Sequence, residues 1–131
     1  TAKFGIYITG ESNNYVSGNF AIGGNATAAV FSATSDERLK TNINIIEEPL
    51  EKIQKIRGVT FNYKANDNPG VGVIAQDIDQ IFPELVSINS EGYKSVVYDG
   101  LIGLLIESIK DQQKQIDILS SVVDQLLHKK V

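Results

Sequence analysis

The chain has 131 residues, a formal net charge of -4 and a pI near 4.9, enough for one ordinary core or a small core plus an extended element. That acidity argues against a general nucleic-acid binder, whose phosphate contacts need clustered Lys and Arg. The absence of cysteine excludes disulfides and thiolate metal sites, and no apolar run approaches the roughly 20 residues of a bilayer span.

The start, "TAKFGIYITG", lacks the basic region and long apolar run of a secretory leader. A first residue other than Met sets the expectation of a piece of something longer. Residues 1–34 carry only two charged side chains, Lys3 and Glu11, against 26 in the 97 residues that follow. They hold five of the eleven glycines and no proline. "KFGIYIT" alternates Phe4, Ile6 and Ile8, and "NYVSGNFAIGG" alternates Val16, Gly18, Phe20 and Ile22. Period two with Gly and Asn breaks predicts short β-strands. A segment this short buries little alone, so it needs neighbours, from more of its own chain or from other copies.

Residues 35–98 predict a compact α+β unit. "EPLEKIQKI" sets Leu50, Ile53 and Ile56 at helical spacing, with Pro49 in the first turn and Gly58 as the expected stop. "VTFNYKA" alternates as a strand, "NDNPG" is a turn by composition, and "VGVIA" is expected to be a buried strand. "QDIDQIF" gives one or two helical turns ending near Pro83. "ELVSIN", "SEG" and "YKSVVY" then form a hairpin.

Residues 99–131 form the last predicted segment. Ile102, Ile109, Ile116 and Val123 recur every seven residues, with Leu105, Gln112, Leu119 and Leu126 in the other core position. Four such heptads predict a coiled coil. The helix would run about 45 Å, too long for the preceding head to cover. Ile with Leu suits a parallel dimer, whereas the Gln112 position leaves the number of strands open.

Several candidate chemistries reduce to ordinary structure. His128, the single histidine, is expected in the last helical turn, where a cation suits the helix dipole. Asp77 and Asp79 resemble a D-x-D metal pair, yet two residues apart on a helix they diverge, so a solvated helix face is expected. The glycines of "NPGVGV" have neither the Lys-Ser/Thr pair nor the spacing of a phosphate loop. Ser35 and Lys40 remain. With histidine excluded, lysine is the natural base for a serine nucleophile. On a strand these two side chains point to opposite faces, and on a helix they lie about 140° apart. They meet only if the backbone turns between them, or if the lysine comes from another subunit. Composition alone reads "TSDERLK" as a helix cap or a charged loop.

"TSDERLKTNI", then "GVIAQDIDQIFPELV", then "YKSVVYDGLIGLLIESIKDQQKQI" resembles, block by block, a known family. It is the C-terminal intramolecular chaperone domain of phage tailspikes, endosialidases, tail fibres and neck appendages. A related domain occurs in a eukaryotic membrane-bound transcription factor of the myelin-regulatory type. The family's S-D-x-R-x-K pattern falls on Ser35, Asp36, Arg38 and Lys40 without departure.

The resemblance implies a homotrimer with an α+β head at 35–98, a coiled-coil helix at 99–131, and a β fibre-stalk end at 1–34. It implies a chaperone that assembles the preceding fibre and then cuts itself off between Thr34 and Ser35. Ser35 would be the nucleophile and Lys40 the general base, with Asp36, Glu37 and Arg38 in support. Because an ammonium with a reference pKa of about 10.4 is a poor base near pH 7, Lys40 would need desolvation or neighbouring cations. Arg38 would supply such repulsion, or pair with Asp36 or Glu37. No cofactor, metal, nucleic acid or membrane is implied. The partners are the other copies and the upstream fibre, which alone would meet a host receptor. The setting would be the host cytoplasm during assembly, with the delivered part in the virion tail. Two alternatives keep the same architecture: a trimerisation cap that does no chemistry, and a receptor-binding fibre tip.

Overall fold

The computed structural model describes residues 16–129. The chain falls into two compact units, residues 1–41 and residues 42–131.

In the first unit, residues 16–34 contain bends and no strand. Val16, Phe20 and Ile22, whose alternation predicts a strand, stand exposed. Their pattern is sound for a pleated surface, but a strand also needs a partner for its backbone N–H and C=O groups. Among the described residues of this unit none is present. The strand predicted over "KFGIYIT" lies outside the described residues. The regular element among the described residues of this unit is a three-residue 3-10 turn, Glu37–Leu39.

The second unit is α+β, as the sequence predicts. Helix α1, Pro49–Ile53, starts after Glu48 in the left-handed region (φ 49°), with Pro49 at its first position. It stops well before Gly58. The amides of Lys55 and Ile56 bond to the carbonyls of Lys52 and Ile53, and such i to i+3 bonds tighten and end the helix. Gly58 instead opens strand β1, Gly58–Asn62, antiparallel to β2, Pro69–Val73. Pro69 and Gly70 therefore belong to a strand, and the reversal lies earlier, around Lys64–Asn66, with Asp67 at φ 57°. β2 is not the fully buried strand that "VGVIA" suggests, because Val71 is 82% exposed. A two-stranded hairpin has only one face to bury.

Helix α2, Ala75–Asp79, leads through a 3-10 turn at Pro83–Leu85 into the predicted hairpin. Its strands are β3, Val86–Ile88, and β4, Lys94–Val96. Gly92, at φ 84°, takes the turn position that a side chain would resist.

Helix α3, Leu101–His128, has 28 residues and runs about 42 Å. Leu101, Leu104 and Ser108 are buried, a spacing of three and four that turns one face onto the head. The Ser108 hydroxyl donates to the Pro49 carbonyl at 3.2 Å, tying α3 to α1. Ile78 of α2 and Leu104 are the fully buried side chains of this core. The heptad residues lie on another face, and Ile102, Leu105, Ile109, Ile116, Leu119, Val123 and Leu126 are all 48–64% exposed.

Candidate functional site: the Ser35–Lys40 turn

The site is built by one short reversal of the chain. Asp36 has extended backbone angles and sits at the N-cap of the 3-10 turn. Its carboxylate accepts the backbone N–H of Arg38 at 2.9 Å, a role suited to Asp, Asn, Ser and Thr. The turn closes through Leu39 N–H to the Asp36 carbonyl at 3.1 Å and Lys40 N–H to the Glu37 carbonyl at 3.0 Å. Lys40 then resumes extended geometry. Its amine comes back onto Ser35, with Lys40 Nζ donating to Ser35 Oγ at 2.6 Å. Of the two ways these side chains can meet, the structure takes the turn within one chain.

Arg38 pairs with Asp36 rather than standing free. Its Nε meets Oδ1 at 3.0 Å and its terminal nitrogen meets Oδ2 at 2.7 Å. The side-chain hydrogen bonds from Arg38, followed by its backbone N–H, hold the Asp36 carboxyl below the usual carboxylate range. The same pairing raises Arg38. Glu37 contributes its carbonyl to the turn. Thr34 precedes Ser35 in open surface, and the turn has no buried residue. Leu39 within the turn is 74% exposed, and Ile43 and Ile45, which follow it in sequence, are 61% and 76% exposed.

The other candidates are accounted for differently. His128 lies in the last turn of α3, one ring nitrogen 2.7 Å from the Asp124 carbonyl. Asp77 and Asp79 diverge as expected, but they are not a solvated face. Asp77 accepts a bidentate pair from Arg57 at 2.8 and 2.9 Å, and Asp79 pairs with Lys94. Among the described residues no group of acids and histidine gathers as a metal site. The glycines of "NPGVGV" serve packing. A Cβ on Gly70 would sit 2.5 Å from the Phe61 ring, and one on Gly72 would sit 2.5 Å from the Tyr98 hydroxyl.

Two features escape the sequence reading. Ser108 is buried in a helix whose heptad pattern points to residues on another face. A groove lined by Phe61, Tyr63, Ile74, Lys94 and Tyr98 opens on the head. The spacing Leu101, Leu104, Ser108 was the available signal for the first, while the second depends on tertiary placement.

Residues 35–87 match a peptidase family described as the chaperone of endosialidase. That segment belongs to this family. The chain is also similar to the long tail fiber protein Gp37 of Salmonella phage S16, at 28% identity over 72% of this chain. The corresponding protein of Enterobacteria phage K3 is 34% identical over 66% of this chain. The chain spans 14% and 8% of the lengths of those two relatives. The matched family segment begins at Ser35, where charge enters the sequence and the turn begins.

Proposed function

We propose that this chain is the C-terminal chaperone of a phage tail fibre, which trimerises the fibre and releases itself by cutting between Thr34 and Ser35. The observation that carries the reading is the 2.6 Å contact between Lys40 Nζ and Ser35 Oγ, placed directly after Thr34. In the reaction, a neutral Lys40 amine takes the Ser35 hydroxyl proton as Oγ attacks the Thr34 carbonyl carbon. The Thr34–Ser35 C–N bond breaks and the Ser35 nitrogen receives a proton, leaving an ester on Oγ and a free α-amine. Water then hydrolyses the ester, regenerating the hydroxyl and a carboxylate on Thr34.

Geometry supplies proximity, but a solvated ammonium keeps its proton. Burial disfavours the charged form of lysine, and other copies of the chain would provide that burial. The exposed heptad face of α3 supports association, since fully burying an Ile or Leu side chain contributes about 1.5–3 kcal/mol. The three chains run parallel in this reading, which gathers three fibre ends at one level. Assembly takes place in the host, and the delivered fibre belongs to the virion tail.

Mass spectrometry of freshly expressed protein tests the proposal. Fragments of 34 and 97 residues are expected, with Ser35 as the first residue of the larger one. A chain that assembles and stays intact would leave a trimerisation cap without chemistry. Glycan or cell-surface binding by residues 35–131 alone would point to a receptor-binding tip.

A further inference from the structure

We propose that Asp36 is the positioning residue of the dyad: its side-chain oxygen on the Arg38 N–H holds the turn that returns Lys40 to Ser35. The inference rests on the cleavage reading above and adds what keeps the two side chains together before reaction. Six consecutive residues must reverse direction to close the Lys40–Ser35 contact. A single 3-10 turn does this poorly alone, because its hydrogen bonds are of poorer geometry and its first bond fixes several dihedrals at once. No buried side chain helps, since none of Glu37, Arg38 and Leu39 is covered. What remains is Asp36, whose Oδ1 accepts from the Arg38 backbone N–H and Nε and whose Oδ2 accepts from the terminal guanidinium nitrogen.

The two contributions of Asp36 separate chemically. The cap needs an acceptor oxygen at the Oδ1 position, two bonds beyond Cβ, which Asn also supplies. The ion pair needs the charge, yet Arg38 is 88% exposed, and exposed pairs contribute little. The cap is therefore the working part. Asp36→Asn keeps it and Asp36→Ala removes it.

The first readout is the first-order rate at which the 97-residue fragment appears, measured on material matched for assembly by size-exclusion chromatography. Asp36→Ala is expected to slow cleavage about fivefold, the usual effect of losing a cap. Asp36→Asn and Arg38→Ala should stay within about twofold of the parent. Assembly and melting should not change, because Asp36 makes its side-chain bonds within its own turn. Cutting at the parent rate by Asp36→Ala would overturn the proposal. So would an Asp36→Asn variant as slow as Asp36→Ala, which would assign the effect to charge. The second readout does not require cleavage. In a Ser35→Ala background, amide exchange at Leu39 and Lys40 should quicken about fivefold when Asp36→Ala is added. Unchanged exchange overturns the turn-holding role. A parent that never cuts, with exchange responding as expected, defeats the cleavage reading and leaves the turn-holding role standing.

Discussion

Six consecutive residues supply every hydrogen bond of the Ser35–Lys40 turn, whereas the α+β head is tied by bonds that span long stretches of chain. Arg57 reaches Asp77 across 20 residues, the Val73 amide reaches Tyr98 across 25, and Ser108 reaches Pro49 across 59. A local device draws its bonds from its own few residues, so they do not require distant segments to dock. A head of this kind exists only when distant segments have docked, because each bond repays loop closure as well as side-chain ordering. The contrast explains why the turn brings Ser35 to Lys40 within a single chain while leaving both exposed. Proximity is local, and burial is not.

The largest effect tests the local half alone. Ser35→Ala should abolish the 97-residue fragment and leave assembly intact, since no core side chain changes. Lys40→Arg should do nearly the same, because guanidinium stays protonated and offers no acceptor. Efficient processing of the Arg variant would show that Lys40 is not the base.

A change remote in sequence should break the separation. Ile116→Lys places an ammonium in each copy of the heptad face, where burial without a partner is costly. Chromatography should show monomer, and a gel of the same sample should show uncut chain. Monomer that still cuts between Thr34 and Ser35 would make the dyad complete without neighbours.

A smaller effect should fall on the head and spare the turn. Leu104→Ala removes one of the two fully buried side chains among the described residues and should cost about 2–5 kcal/mol in denaturant unfolding. Amide exchange at Leu39, whose bond is to the Asp36 carbonyl, should stay as in the parent. Equal loss of protection in both places would merge what the comparison separates.

The smallest effect concerns Asp77. Its carboxyl is held below the usual range by the side-chain hydrogen bonds of Arg57. A carboxyl lowered in the folded state adds stability that is present above the unfolded value and is lost as pH falls through the folded one. The stability gap between the parent and Asp77→Asn should therefore be constant above about pH 5 and close on further acidification. A gap that widens on acidification would remove Arg57–Asp77 from the account.

The same difference in scale decides what the sequence could reveal. The cap in "TSDERLK" is legible because it is written in one short stretch, while the spacing of Ser35 and Lys40 left open whether a turn or another subunit brings them together. The heptads of α3 are legible because periodicity is a property of the chain itself. The early end of α1, the exposed Val71 and the pairing of Asp77 with Arg57 depend on which element packs alongside, and no local pattern encodes that. The alternation of Val16, Phe20 and Ile22 is a real preference for a pleated surface, but the described residues of that unit offer no strand to pair with it.

The self-contained turn also bears on inheritance. Recombination joins genes at points that need not respect folded boundaries, and most crossovers inside a domain separate residues that must touch. Here a crossover anywhere upstream of Ser35 transfers Ser35, Asp36 and Lys40 as one uninterrupted run of codons. Everything before that point can be replaced without separating any of the hydrogen-bonded residues described for the turn. A gene for a different fibre would then acquire, in one event, both the proposed cleavage point and the side chains proposed to act there.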